Sequence, residues 1–263
     1  MKYYYHEHNI GYQRVKTEGK TSWGELFGSI SFDDFSSRAF LEMILPRLNF
    51  SVSTPFALEY GCGTGPGACF LAERGFKVDG IDIIPIAIEI AKKQSKMRNL
   101  DINYMVQDIC QLSQEGRKYD IIVDSYCLQG IVTDTDREKF FSVVRARLKP
   151  AGYYLISTAI FDENRFCEDK LILDSKSNIV YNKYGEDLID PRSNIVYTRL
   201  VENPEHYEGV IKIRDQFYIL NRRHLKPRAL RAELQGAKFD VLYQDRGNVV
   251  CAQKDSFTTL ITE

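Results

Sequence analysis

The run Glu59-Tyr60-Gly61-Cys62-Gly63-Thr64-Gly65-Pro66-Gly67 places glycine at every second position between an apolar segment and a helix start. Glycine permits positive φ and lets backbone approach a ligand closely. A loop of this kind at the carboxyl end of the first strand of an open α/β sheet is where nucleotides bind. Gly63-x-Gly65-x-x-Ala68 also matches part of a relaxed dinucleotide fingerprint, so the loop alone leaves the ligand open. Three acids narrow it. Asp82 closes the next apolar segment, about twenty residues on, where a carboxylate accepts from ribose hydroxyls. Asp108, in Val106-Gln107-Asp108-Ile109, stands where an acid accepts from the exocyclic amine of an adenine. Asp124-Ser125 ends the fourth apolar segment. Such an acidic rim repels a pyrophosphate and suits a ligand bearing ammonium and sulfonium charge.

Other chemistry-bearing residues are weaker candidates. His6-Glu7-His8 presents two histidines on one face if the segment is extended, but no third ligand accompanies them, so no metal site is expected. Arg222-Arg223-His224 reads as a solvated helix entry, with an anionic acceptor as the second reading. Lys92, Lys93 and Lys96 form a wet helix face. Asp120, at a strand start, is expected to face solvent, while for Asp124 fold support and a donor-site role both stay open. Cys62 and Cys127 lie near the glycine loop, with nothing to lower a thiol pKa, so neither is assigned as a nucleophile.

The elements that must hold these residues follow from apolar periodicity. Residues 1–30 are rich in Tyr and Gly and lack a clean period. Asp33 and Asp34 open a helical spacing through Phe35, Ala39, Met43 and Leu45. Strands are expected at 56–60, 76–81, 102–106, 119–123 and 152–157, with helices at 66–74, 85–97 and 134–148. Alternating elements with apolar strands mean a parallel sheet covered on both faces. Between 161 and 216 the pattern pauses in a polar, tyrosine-rich stretch. It holds Ser-Asn-Ile-Val-Tyr twice, at Ser177 to Tyr181 and Ser193 to Tyr197, and reads as two or more antiparallel strands. A helix over 228–234 with Gly236 as its C-cap, then strands at 238–243 and 249–253 around Asp245-Arg246-Gly247-Asn248, closes the chain.

Composition bounds the rest. At ~150 residues per domain, 263 residues make one large domain with an elaboration. Lys and Arg number 35 against 36 Asp and Glu, which disfavours a dedicated phosphate-backbone binder. No apolar run approaches the ~20 residues of a membrane span. The first residues turn polar at once, unlike a secretory signal. The six cysteines are scattered without a C-x-x-C pair, which suggests a reduced, cytoplasmic protein.

Ala57-Leu-Glu-Tyr-Gly-Cys-Gly-Thr-Gly65, Val78-Asp-Gly-Ile-Asp82, Val106-Gln-Asp-Ile109, Tyr119-Asp-Ile-Ile-Val-Asp124 and Leu148-Lys-Pro-Ala-Gly-Tyr-Tyr-Leu-Ile156 follow one another in order. Together they resemble the class I S-adenosylmethionine-dependent methyltransferases over residues 56–158, and the terminal helix and hairpin extend the likeness. Pro66, before the fourth glycine, departs from many members of that family and is harmless at a helix start.

The resemblance implies a Rossmann-like doubly wound α/β sheet, mostly parallel with an antiparallel C-terminal strand, plus an inserted β-rich lid. The division it implies is an N-terminal cap over 1–50, a core over 51–160 and 217–263, and an insert over 161–216. Glu59, Gly61, Gly63 and Gly65 would line the methionine end of S-adenosyl-L-methionine. Asp82 would hold the ribose and Ile83 pack on the adenine, with Asp108 and Ile109 contacting it. Ser125 would border the amino group and the methyl. Tyr12, Trp23 and Tyr126 are the substrate candidates, and no catalytic base is assigned. The expected activity is methyl transfer to a small molecule, leaving S-adenosyl-L-homocysteine. A protein or RNA methyltransferase, or a non-catalytic binder, is the alternative. Asp124-Ser125-Tyr126-Cys127-Leu128 lacks the paired prolines of many base-amino methylases. The insert reads as a lid, with a homodimer interface as its second reading. A nicotinamide oxidoreductase is disfavoured by Asp108 and the terminal hairpin.

Overall fold

The computed structural model describes residues 1–28, 31–174, 179–200, 202–213 and 215–261. Two sheets organise the chain. The first has seven strands: β1 (Phe56–Tyr60), β2 (Lys77–Asp82), β3 (Ile102–Val106), β4 (Tyr119–Ser125), β5 (Leu148–Ser157), β12 (Phe239–Asp245) and β13 (Asn248–Gln253). Their spatial order is β12-β13-β5-β4-β1-β2-β3. The pairs β1–β2, β1–β4, β2–β3 and β4–β5 are parallel, whereas β13 runs antiparallel to β5. The order reverses beside β1, so the carboxyl ends of β1 and β4 flank the crevice where doubly wound sheets bind ligands.

Both faces of this sheet are covered. The buried residues of helix α4 (Pro85–Met97), Ala87, Ile88, Ala91, Gln94 and Ser95, repeat at helical spacing. Helix α5 (Asp134–Arg147) starts where Thr133 Oγ1 accepts from the Asp136 amide at 3.2 Å and donates to its carboxylate at 2.9 Å. Tyr60, Phe140, Tyr154 and Phe239 lie in the core on one side, and Leu41, Ala57, Leu71 and Leu155 on the other.

The second sheet is antiparallel throughout, in the order β10-β11-β9-β8-β7-β6. It comprises β6 (Phe166–Asp174), β7 (Ile179–Tyr184), β8 (Asp187–Asp190), β9 (Ile195–Leu200), β10 (Val210–Ile213) and β11 (Gln216–Arg223). Of the first repeat, Ser177 and Asn178 fall outside the described residues. The two repeat tyrosines, Tyr181 and Tyr197, meet edge to face at 5.4 Å in the small core of this sheet. Tyr3 and Val132 enter the same core, which joins the sheet to the chain's first residues and to the loop after β4.

Several expectations need correction. Residues 6–17 form helix α1 (His6–Thr17), so His6 and His8 are two positions apart on a helix and do not face the same way. His6 packs on Tyr207 and His8 on Trp23. Helix α2 (Arg38–Ile44) begins after Ser37 rather than at Asp33. The inserted sheet continues through β11 to Arg223, past the expected boundary at 216. Helix α6 (Pro227–Gly236) includes Gly236, and the left-handed residue after it is Lys238. Asp120 is buried: it accepts from the Phe56 amide and from Lys149 Nζ, both at 2.8 Å.

Candidate active site

The turn after β1 needs its glycines. Gly61, Gly63 and Gly65 all have positive φ, at 58°, 55° and 88°. A Cβ on Gly61 would stand 2.5 Å from Cys127 Sγ, and one on Gly63 would strike the Tyr12 hydroxyl. The chain then enters helix α3 (Pro66–Ala72) with Pro66 at its first position. Gly67 leaves room for the Glu59 carboxylate, which lies directly over it.

A cavity of about 340 Å³ opens at this edge of the sheet, within the range of small-molecule sites. Glu59, Gly61, Gly63, Asp82, Ile83, Asp108, Ile109, Ser125, Tyr12, Trp23 and Tyr126 all line it. Gly65 does not; its conformation caps α3 instead.

Glu59 is 1% exposed, and its Oε2 has no hydrogen-bond partner. Burial pushes its carboxyl up to about 8, against the bonds from Ser125 and the Ala68 amide that favour the anion. Asp82 spans the crevice: Oδ2 accepts from the Gly63 amide at 2.9 Å and Oδ1 from the Ile84 amide at 2.8 Å. Burial still raises it to about 6. Asp108 caps the short turn at Ile109 by accepting from the Cys110 amide at 2.9 Å, and its other oxygen accepts from the Tyr4 hydroxyl at 2.8 Å. Ser125 Oγ pairs with Ser37 Oγ at 2.7 Å.

Asp124, by contrast, supports the fold. It accepts from the Cys127 and Leu128 amides and from the Tyr60 hydroxyl, at 2.7, 3.0 and 2.8 Å. It is 1% exposed and raised by burial to about 7. These bonds hold the turn at Tyr126, whose φ of 65° is strained for a non-glycine residue. Cys62 is buried and Cys127 half-buried, and desolvation pushes both thiols up, the reverse of what a nucleophile needs.

The other half of the wall is aromatic. Trp23 packs edge to face on Tyr12 at 5.1 Å and against His8 at 5.5 Å. Tyr4, His8 and Arg222 also line the cavity; an anionic-acceptor contact is only the second reading of Arg222 from sequence, and His8 has no expected site role. Arg222 comes from β11, where the pairing with β9 shifts register between Leu220 and Arg222. Such an irregularity re-aims a side chain, and no local sequence pattern announces it. Among the described residues, no group of three or more His, Cys, Asp or Glu side chains is placed to hold a metal ion. Nor is any helix long and apolar enough to cross a membrane.

An S-adenosylmethionine molecule fits this donor set. The unpaired Glu59 Oε2 matches its ammonium group, and Gly61 and Gly63 line the same cavity beside it.

Known proteins agree on the architecture. Residues 57–152 match the family model described as a methyltransferase domain. The chain is 33% identical over 101 residues to a ubiquinone biosynthesis O-methyltransferase of Coxiella burnetii, covering 38% of this chain and 42% of that protein. It thus spans less than half the length of that relative. Among solved structures, Streptomyces venezuelae DesVI superposes with a TM-score of 0.57 at 15% identity, over 88% of this chain and 96% of that one. A Burkholderia thailandensis 1,6-didemethyltoxoflavin N1-methyltransferase, solved with 1,6-didemethyltoxoflavin and S-adenosylhomocysteine, gives 0.53 at 14% identity over 94% and 89%. Through residues 57–152 and its seven-stranded sheet, this chain is similar to the class I S-adenosylmethionine-dependent methyltransferases.

Proposed function

We propose that the protein transfers a methyl group from S-adenosylmethionine to a small-molecule acceptor by in-line displacement. The observation that carries this reading is the single cavity joining the glycine turn and the unpaired Glu59 carboxylate oxygen to a wall of aromatic side chains. When bound, the cofactor supplies a methyl already activated on a sulfonium, so the protein's work is positioning and exclusion of water.

The residues divide that work. Glu59 Oε2 receives the ammonium, with Gly61 and Gly63 beside the methionine backbone. Asp82, already clamped by two amides, presents its remaining lone pairs to the ribose, and Ile83 packs on the adenine. Asp108 and Ile109 meet the adenine edge next to Tyr4. Ser125 borders the methyl. Tyr12, Trp23 and Tyr126 hold the acceptor, and aromatic faces favour a sulfonium by ~0.5–2 kcal/mol. Residues 1–50 cap the site, and the second sheet closes it through Arg222. A Coxiella relative named for O-methylation and a Burkholderia neighbour named for N-methylation leave the acceptor atom to the acceptor end of the cavity itself.

The test is calorimetric titration of the folded protein with S-adenosylmethionine, S-adenosylhomocysteine and NAD. Saturable binding of the two sulfur ligands without NAD is expected. Failure of both sulfur ligands would sink the reading and leave only the fold.

A further inference from the structure

We propose that the acceptor is a small aromatic or enolic hydroxyl compound, that His8 takes its proton, and that Arg222 faces the oxygen as it becomes anionic. This rests on the methyl-transfer reading and specifies the acceptor end of the same cavity.

The ring of His8 has a defined state. Its Nδ1 lies 2.7 Å from the carbonyl oxygen of Tyr4. A carbonyl can only accept, so Nδ1 carries the hydrogen and Nε2 holds a lone pair. Among the described residues Nε2 has no hydrogen-bond partner. The ring lines the cavity and turns Cε1, the atom bonded to both nitrogens, toward Gly130, another lining residue. Trp23 packs beside the imidazole at 5.5 Å. A base with a fixed tautomer, a free acceptor nitrogen and an aromatic neighbour thus stands inside the site.

Two charged groups act on this ring. Burial holds it neutral and Arg222 adds to that by repulsion, while Glu7 and the bond to the Tyr4 carbonyl oppose them in part; together they leave the imidazole lowered to about 4. Arg222 is itself tethered: its guanidinium reaches Glu7 at 3.0 Å, and one nitrogen donates to the Asn221 carbonyl and amide oxygens at 3.0 and 2.6 Å. A fixed guanidinium lining the same cavity as this lone pair rejects a protonated amine and welcomes an oxygen that is losing its proton. Oxygen attack needs only a weak base, because the O–H becomes strongly acidic as the new bond to carbon forms. His8 is unprotonated throughout the neutral range and meets that need.

The step balances. The acceptor oxygen gives its proton to His8 Nε2 and an electron pair to the methyl carbon. The electrons of the carbon–sulfur bond return to sulfur, leaving the neutral thioether product. The imidazolium then releases its proton to water, restoring the resting ring.

The experiment uses the whole chain labelled with ¹⁵N-histidine, saturated with S-adenosylhomocysteine, and titrated with phenol, 4-nitrophenol and, separately, benzylamine, which is protonated at neutral pH. The chain has four histidines, so His8→Gln assigns its Nε2 resonance. Phenols should move that resonance toward its hydrogen-bonded position, and benzylamine should not. With S-adenosylmethionine, His8→Gln should lower methylation of the phenols ~100-fold, the scale of one general base, while calorimetric affinity for S-adenosylmethionine stays as in the parent. Arg222→Met should weaken binding of 4-nitrophenolate. If S-adenosylmethionine binds but phenols leave the His8 resonance unmoved, or the glutamine variant turns over like the parent, or benzylamine alone is methylated, the proposal is overturned and the methyl-transfer reading stands. If neither sulfur ligand binds, the underlying reading falls and takes this proposal with it.

Discussion

Glu59 links protonation to ligand binding in a way that can be counted. Its buried carboxyl is pushed up to about 8 with Oε2 unpaired, so at pH 7 about 0.9 of the molecules hold the proton. Seating an ammonium on Oε2 ionises the group, and binding at pH 7 should therefore release nearly one proton. Asp82, raised only to about 6, is mostly ionised at that pH and adds on the order of 0.1 proton. Isothermal titration in two buffers of different ionisation enthalpy measures the number directly. Glu59→Gln should remove all but the small Asp82 share of the release and, by trading a charge-assisted bond of ~1.5–3 kcal/mol for a neutral one of ~1 kcal/mol, weaken S-adenosylmethionine ~2- to 30-fold. The free protein should show the converse effect. Because the folded carboxyl titrates above its unfolded value of 4.5, the native state binds more protons than the unfolded one between pH 4.5 and 8. The stability due to Glu59 is full below 4.5 and is lost as pH rises through 8. The glutamine variant should therefore gain on the parent toward pH 8. Equal proton release by variant and parent would refute this account of Glu59.

Gly61→Ala adds a clash with Cys127 to a left-handed backbone strain of ~1–2 kcal/mol; Cys127→Ala in the same chain should recover the steric part of the lost melting temperature and not the backbone part. Arg137 donates to Glu233 at 2.7 and 2.6 Å and to the carbonyls of Leu128 and Ile131 at 3.1 and 2.6 Å, so Arg137→Met should cost about 3 kcal/mol and lower the melting temperature by roughly 6–12 °C. His224, buried beside the Tyr184 hydroxyl, is lowered to about 4, so its contribution is full above 6.5 and is lost as pH falls through 4. In a pH series of thermal melts, His224→Gln should gain on the parent across that window. Tyr4→Phe removes the 2.8 Å bond to Asp108, worth ~1 kcal/mol, and should speed amide exchange in residues 2–12 several-fold while leaving β1 and β4 unchanged.

The core was legible because its signals are local. Apolar strands, helical spacing and the glycine turn each lie within a few residues, and β1, α4 and β3 occupy the expected spans. Helix α1 was hidden because its support is tertiary: Tyr12 and Val15 pack with Ile84 and Ala87 of the α4 region. Gly11, a poor helix former, is needed there because any Cβ would strike Trp23. Asp33 and Asp34 imitated an acidic first turn, yet α2 starts after Ser37. Arg38 then reaches back to the Asp33 carbonyl at 2.6 Å and forward to Glu42 at 2.9 Å. Arg222 looked like surface because nothing in Arg222-Arg223-His224 reveals a register shift in β11 or an ion partner on α1.

The cavity depends on segments that only tertiary structure brings together. The first eight residues run along it. Tyr4 reaches Asp108 at the expected adenine end, and His8 reaches Trp23 at the aromatic end. The same segment is riveted to both sheets. Tyr3 accepts from the Val132 and Thr133 amides at 2.8 and 3.2 Å, and Lys2 pairs with Asp136 at 3.3 Å and Glu208 at 3.0 Å. Lys2 and Glu208 are partly solvated, so each of those pairs contributes little by itself. The Tyr3 bonds are buried and hold the segment in place. If the adenine draws on Asp108, as proposed, it shares that carboxylate with the Tyr4 hydroxyl, and adenine binding and the position of α1 would then be coupled through one residue. Because α1 also carries His8, a shift at the proposed cofactor end would change the proposed acceptor end without a separate relay. One short amino-terminal segment can thereby make acceptor binding depend on whether the cofactor is in place.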